Sequence, residues 1–300
     1  MQIGIDLGAT KIESVLLKEN GLELHRDRIQ SPKNYQKTIS DITNIVNNIE
    51  KKFKKNLNVG ICHPGSTNLE TGLIQNAFNS PWLNNQTFSK DISKSLNRNV
   101  YCENDANCFA LSEAIDGSGK HYKIVYGIIL GSGAGGGLVI DKQIVSGPNG
   151  VAGEWGHNQI PYFAAKKENF DSNNAREAEI ESFISGLGLA KRFNKIYGKN
   201  LKTSEIFELN RKHDLDAERF IDSFKVNLAM SLSSIINILD PDAFVFGGGV
   251  SNEIDFLSEI ESMVKKFVSG NEYEGVFLKP KYGDASGVRG AARLGRTTYY

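Results

Sequence analysis

Residues 126–140 read Tyr126-Gly127-Ile128-Ile129-Leu130-Gly131-Ser132-Gly133-Ala134-Gly135-Gly136-Gly137-Leu138-Val139-Ile140. Two apolar runs flank a turn with glycine at 131, 133, 135, 136 and 137, which predicts a strand, a turn and a second strand. So many glycines cost backbone entropy unless something must approach the chain closely. A run of exposed N–H groups in such a turn forms a concave nest for an anion, suited to phosphate. The string is not a Walker loop, because it has no Gly-Lys-Ser/Thr. Nor is it a dinucleotide fingerprint, because no helix follows the glycines.

The same pattern opens the chain. Ile3-Gly4-Ile5-Asp6-Leu7 is an apolar strand ending in an acid, Gly8-Ala9-Thr10-Lys11 is a tight turn, and Ile12, Val15, Leu16 and Leu17 form a second strand. Backbone N–H groups near Gly8 and the Thr10 hydroxyl would face an anion, with Asp6 placed to hold a hydrated metal. The repeated hairpin is a weak internal duplication, each copy opening one half of the chain. Two such turns facing each other across a cleft would grip the two ends of a triphosphate.

Between the hairpins, Tyr35 to Phe53 carries Ile39, Ile42, Ile45, Val46, Ile49 and Phe53 at helical spacing, the pattern of a helix covering a sheet. Asn58 to Cys62 predicts a buried strand closed by Pro64-Gly65, with His63 as a structural residue. The loop Asn76 to Leu83 carries amides and an aromatic, suited to sugar hydroxyls and to a surface turn alike. Glu103-Asn104-Asp105-Ala106-Asn107 runs from a short strand into a helix, with Asn104 or Asp105 as its cap. Asp105 is therefore either a cap or a carboxylate facing a cleft. Beyond residue 174 a long helix carries Phe220, Phe224, Leu228, Leu232, Ile235 and Leu239 and stops before Pro241. Strand Ala243–Phe246, turn Gly247-Gly248-Gly249, and helices near 257–268 and 287–294 follow. This order of β and α units predicts an α/β fold in two lobes with ligands at strand ends.

The bulk properties exclude several classes of function. Lys+Arg 35 against Asp+Glu 35 gives no electrostatic case for nucleic acid or an anionic membrane. No apolar run approaches the roughly 20 residues that span a bilayer. The N-terminus enters a strand at once, so no signal peptide is expected. Cys62, Cys102 and Cys108 lack a C-x-x-C pair, so buried thiols and a cytoplasmic setting are expected.

These motifs, in this order over nearly all of the 300 residues, resemble the ROK family of the actin-like ATPase superfamily, its fructokinase or manno(fructo)kinase branch most of all. The resemblance implies two ribonuclease-H-like lobes with a cleft, 1–117 plus 286–300 and 118–285, and a homodimer. It implies an ATP- and magnesium-dependent hexose kinase. Asp6, Gly8, Ala9, Thr10 and Lys11 would form one phosphate turn, Ser132, Gly133 and Gly135 the other, and Gly247, Gly248 and Gly249 would lie by the adenosine. Asp105 matches the general base that takes the proton of the sugar 6-hydroxyl. Asn79, Asn104, Glu154, His157 and Glu181 match sugar-binding positions. Family members follow the Gly-His motif with C-x-C-G-x-x-G-C, a set that binds zinc with the His. Here Ser172, Asn174 and Glu179 stand at those positions, so structural zinc is expected to be absent.

Three other functions fit parts of the pattern. A family repressor would carry a helix-turn-helix ahead of the first phosphate strand, where this chain begins. A sugar sensor would not need Asp105. An N-acetylhexosamine kinase differs only in its acceptor, and the expectation of fructose over it, with mannose or glucose weaker, rests on Trp82 and Trp155. Both sit near the sugar loops, where a bulky ring could fill the space an acetamide needs or could simply be core.

Overall fold

The computed structural model describes residues 1–160 and 178–296. In the N-terminal half, β1 (Gln2–Leu7), β2 (Lys11–Leu17), β3 (Glu23–Gln30) and β4 (Asn58–His63) precede a short pair, β5 (Ser66–Thr67) and β6 (Ile74–Gln75). Strand β7 (Tyr101–Asn104) completes a sheet of order β3-β2-β1-β4-β7. The hairpin strands are antiparallel, and β1, β4 and β7 are parallel.

Helix α1 (Tyr35–Phe53) forms because Thr38, Ile42, Val46 and Ile49 recur at three- and four-residue spacing and are all buried. The Asn34 side chain accepts from the Lys37 N–H to cap it. With α2 (Phe88–Leu96) it covers the sheet face that presents Ile3, Ile5, Leu16 and Ile61. Helix α3 (Asp105–Ile115) follows β7 directly and is buried along nearly its whole length.

The C-terminal half repeats the plan. Strands β8 (Ile124–Leu130), β9 (Ala134–Ile140) and β10 (Gln143–Ile144) come first. Helices α4 (Glu181–Ile184), α5 (Gly186–Tyr197), α6 (Thr203–Arg211) and α7 (Leu215–Leu239) follow. Then come β11 (Ala243–Gly247), α8 (Gly249–Glu253), α9 (Leu257–Val264), β12 (Val276–Leu278) and α10 (Ser286–Arg293). This sheet is ordered β10-β9-β8-β11-β12. Each sheet thus reads third, second, first, fourth, fifth strand, so the duplicated hairpin belongs to a duplicated topology. The expected α/β architecture is the one the chain adopts. Its second core is aromatic: Phe193, Phe207, Phe220, Phe224, Phe244 and Phe246 are all buried.

By internal contacts the chain divides into two compact units. The first holds residues 1–121, 137–153 and 281 onward; the second holds 122–136 and 154–280. In the first, α10 lies on β1, β4 and α3 at distances that only glycine permits. A Cβ on Gly60 would come within 1.9 Å of the Ala291 carbonyl oxygen, and one on Gly290 within 1.7 Å of that of Cys108. Asp116, just past α3, accepts from Arg289 at 3.2 Å and Arg293 at 2.7 Å, fixing α10 by paired charges. No helix of the described residues is long and apolar enough to cross a membrane.

Candidate active site

In the first unit the parallel strands end in phase. Asp6 stands beside Cys62, and Cys62 beside Glu103, so one row crosses the carboxyl edge of β1, β4 and β7. That edge is where open α/β sheets take ligands. Asn104 ends β7, and its side chain accepts from the Asn107 N–H at 2.7 Å. The cap of α3 is therefore Asn104, which is buried. Asp105 occupies the first helical position and is exposed, its Oδ1 accepting from the Ala106 N–H at 2.9 Å. The choice left open by the sequence resolves by register, because β7 keeps its pairing through Asn104 opposite His63.

Glu103 holds this corner together and was not singled out from the sequence. Its Oε1 accepts from the Asn104 N–H at 2.8 Å and from Asn107 Nδ2 at 3.1 Å, while Oε2 accepts from Ser146 Oγ at 2.8 Å. Its place in the motif, one residue before the cap, was the available signal.

The first glycine turn is closed by the Gly8 N–H donating to the Lys11 carbonyl at 2.9 Å. Thr10 is exposed at its tip. Asp6 accepts from the Cys62 thiol at 3.3 Å, a weak donor. Burial pushes the Asp6 carboxyl above its usual range, opposed by that thiol and raised further by Glu13. A buried, poorly compensated carboxylate beside a glycine turn suits a cation. Lys11 Nζ lies 3.3 Å from Glu13, a carboxylate that also pairs with Arg26 and Arg28.

In the second unit, the Gly131 N–H donates to the Gly133 carbonyl at 2.9 Å. Ser132 is exposed at the tip. The α5 N-terminus donates back, Gly186 N–H to Gly131 O at 2.8 Å and Leu187 N–H to Ser132 O at 3.2 Å. Gly248, at φ 88°, lies against this turn, where a Cβ would meet the Leu130 carbonyl at 2.5 Å. The expected nest is shorter than the glycine run: residues 134–140 are already strand. Within the first unit, Gly137 lies against α3, with room for no Cβ beside the Ala106 carbonyl.

Glu181 caps the second turn from above. Its Oε2 accepts from the Ala134 N–H at 2.8 Å, and a Cβ on Gly133 would lie 2.6 Å from that oxygen. Glu154 and His157 share the 3-10 turn that Glu154 leads into. His157 Nε2 is 3.7 Å from Glu154 Oε2 and Nδ1 is 3.1 Å from Glu179 Oε2. Burial raises the Glu154 carboxyl, His157 lowers it and Glu181 raises it. Glu179 is the second residue missed from the sequence as a site component, since a partner 22 positions away leaves no local pattern.

Of the positions where thiolates would be needed for zinc, Ser172 and Asn174 lie outside the described residues. Glu179 is engaged by the imidazole, and among the described residues no three His, Cys, Asp or Glu side chains are placed to hold a metal. Cys62 and Cys108 are fully buried, and Cys62 is bonded to Asp6. This donor set does not fit a thiolate zinc centre.

The remaining expected residues separate cleanly. Asn79 is exposed in the turn after Ala77, and the exposed aromatic at that tip is Phe78, 63% exposed, rather than Trp82. Trp82 packs against the first core. Trp155 is buried, and its Nε1 donates to the Gly135 carbonyl at 3.0 Å. His63 is buried between the Pro64 carbonyl, the Thr67 hydroxyl and the Phe88 ring, the structural role expected of it.

The ROK family model matches residues 2–298. The chain is 37% identical to N-acetyl-D-glucosamine kinase of Histophilus somni over 98% of each chain. It is 38% identical to that of Mannheimia succiniciproducens, over 98% of this chain and 99% of the relative. These relatives are N-acetyl-D-glucosamine kinases, which supports the acetylhexosamine alternative better than the fructokinase branch expected from the sequence. Among solved structures, the ROK hexokinase of Thermus thermophilus superposes with TM-score 0.86 at 23% identity, covering 97% of this chain and 96% of that one. A ROK glucokinase of Streptomyces griseus, in complex with glucose and AMPPNP, gives 0.75 at 25% identity over 98% of each.

Proposed function

The chain belongs to the ROK family, and from that premise we propose that it is an ATP-dependent sugar kinase acting on N-acetyl-D-glucosamine. The observation that carries the kinase assignment is Asp105. It is an exposed carboxylate at the head of α3 whose capping duty belongs to Asn104, and a carboxylate so placed can accept the proton of a hydroxyl.

The acceptor follows from two observations. Curated relatives matching almost the whole chain at 32–38% identity are N-acetyl-D-glucosamine kinases. The argument for fructose also loses its physical basis, since it required Trp82 and Trp155 to crowd an acetamide. Trp155 is a core residue tied to the Gly135 carbonyl, and Trp82 packs on the first core.

In this mechanism Asp105 accepts the proton of the sugar 6-hydroxyl as that oxygen attacks the γ-phosphorus of Mg-ATP in line and ADP leaves. Positioning and charge neutralisation carry most of phosphoryl transfer. The turns at Asp6 to Lys11 and Ser132 to Gly135 cradle the phosphates, Asp6 faces the magnesium that enters with ATP, and Gly247 to Gly249 border the adenosine. Asn79, Asn104, Glu154 and His157 bind sugar hydroxyls, while Glu181 braces the second turn. In this account the protein works as a cytoplasmic homodimer. The test is the product: incubation with N-acetylglucosamine and Mg-ATP should yield one ADP per sugar and a phosphorus–proton correlation to carbon 6. ADP release without a sugar phosphate, or phosphate at another carbon, overturns it.

A further inference from the structure

The segment carrying Glu154 and His157 is tied to the start of α4 by an unusual closure. The chain passes through Asn158-Gln159-Ile160 and returns through Ala178-Glu179-Ile180, where the two runs meet as an antiparallel bridge, Gln159 opposite Glu179. The Ile160 N–H donates to the Ala178 carbonyl at 2.7 Å and the Ile180 N–H to the Asn158 carbonyl at 2.8 Å. Among the described residues, Glu179 gives His157 its side-chain tie at bonding distance, 3.1 Å from Nδ1. Its side chain is 18% exposed, against 46% for the imidazole.

Chemistry assigns the roles. A carboxylate oxygen only accepts, so the proton of the neutral ring must sit on Nδ1. The bond at one ring nitrogen sets the state of the other, leaving a lone pair on Nε2. That nitrogen faces Glu154 Oε2 at 3.7 Å, too far for a direct bond and suited to a second acceptor beside the first. Two acceptors at that spacing match two neighbouring hydroxyl donors on a pyranose ring. Without Glu179, the proton could move to Nε2 and the ring could turn, and one acceptor would be lost.

We propose that Glu179 is a positioning residue for the sugar: it fixes the tautomer and orientation of His157, and so clasps the Glu154–His157 segment without a metal. The proposal rests on the kinase assignment above. It also gives a reason for the misfit to zinc, since the residue standing where a thiolate would be needed is the one that orders the imidazole. Glu179 does not touch the substrate and takes no part in phosphoryl transfer.

The test uses the full-length protein, with Glu179→Ala and Glu179→Gln compared with wild type. Loss of one orienting hydrogen bond should raise KM for the sugar about tenfold in Glu179→Ala. KM for ATP should stay within about twofold, with kcat falling less than KM rises. Glu179→Gln should return the sugar KM to within about twofold of wild type, because its amide oxygen still accepts from Nδ1–H. Nitrogen-15 NMR of the His157 ring, assigned by the signal lost in His157→Asn, should show the Nδ1–H tautomer in wild type. It should show Nε2–H or a mixture in Glu179→Ala. Extensive chelator dialysis followed by restored magnesium should leave the sugar KM unchanged. An Nε2–H ring in wild type overturns the proposal even if Glu179→Ala fails to fold. So does an unchanged sugar KM in folded Glu179→Ala, or one bound zinc whose removal raises the sugar KM. If wild type phosphorylates a different hexose, KM is read on that sugar and only the acceptor assignment falls. If it phosphorylates none, the kinase assignment falls, while the tautomer is still read directly.

Discussion

Replacing Asp105 with Asn separates the chemistry of the site from its architecture. The helix end keeps its cap and its local hydrogen bond. Asn104, not Asp105, caps α3, with its 2.7 Å bond to the Asn107 N–H. The Asp105 Oδ1 bond to the Ala106 N–H at 2.9 Å survives with an amide oxygen. What disappears is a negative charge in the first helical turn, worth about 0.3–1 kcal/mol against the helix dipole, and less at an exposed position in salt. The melting temperature should therefore fall by no more than a few degrees. The chemical cost is much larger. An amide cannot take the proton of the attacking hydroxyl, and general-base contributions are about 10²–10⁴ in rate. An ADP-coupled assay at saturating sugar and Mg-ATP should show kcat lower by about 10² or more. The KM for sugar should change little, the pattern of a group that acts only in the transition state. A folded Asp105→Asn variant with near-normal kcat refutes the assignment and leaves Asp105 as a helix-end residue.

Two further outcomes follow from the charges of the first unit. Burial raises the Asp6 carboxyl, so its folded pKa stands above the unfolded value and its charge works against the fold at neutral pH. That penalty fades as pH falls through the folded pKa. Asp6→Asn should consequently raise the melting temperature of the unliganded protein while lowering kcat/KM for Mg-ATP by about 10²; a lower melting temperature with normal turnover counts against the role given to Asp6. Glu13 has the opposite sign. Burial pushes it up, but hydrogen bonds from Arg26, Arg28 and Lys11 hold it below the ordinary 4.5. Its contribution to stability is full above 4.5 and is lost as pH falls through the lower folded value. Urea midpoints measured across roughly pH 3 to 6, the acid range of carboxylates, should fall more steeply for wild type than for Glu13→Gln. Parallel curves would exclude that linkage.

Much of the fold was legible because single local rules decide it. The spacing of Ile42, Val46 and Ile49 admits one helix face, and α1 spans Tyr35–Phe53 as expected. The repeated strand, glycine turn and strand was legible as a duplication, and the two sheets share one strand order. Other features depend on partners far away in sequence. Asn104 and Asp105 are equally good caps on paper, and only the pairing of β7 with β4 decides between them. On paper Trp155 is as good a pocket wall as a core residue; the ring's Nε1 donating to the Gly135 carbonyl makes it core, and no pattern near residue 155 announces that. Glycines 131 to 137 looked like one anion nest. They divide into a turn, a seat for Glu181 and a close approach to α3, because a missing Cβ serves each need equally in the sequence.

The central claim is that this ROK chain is a kinase for N-acetylglucosamine, and the most direct measurement is kcat/KM for N-acetylglucosamine and fructose under identical Mg-ATP. A site that hydrogen-bonds the acetamide should favour N-acetylglucosamine by about 10² or more, since buried polar groups left unpaired by fructose would cost several kcal/mol. Equal efficiency, or higher efficiency with fructose, contradicts the account of the acceptor.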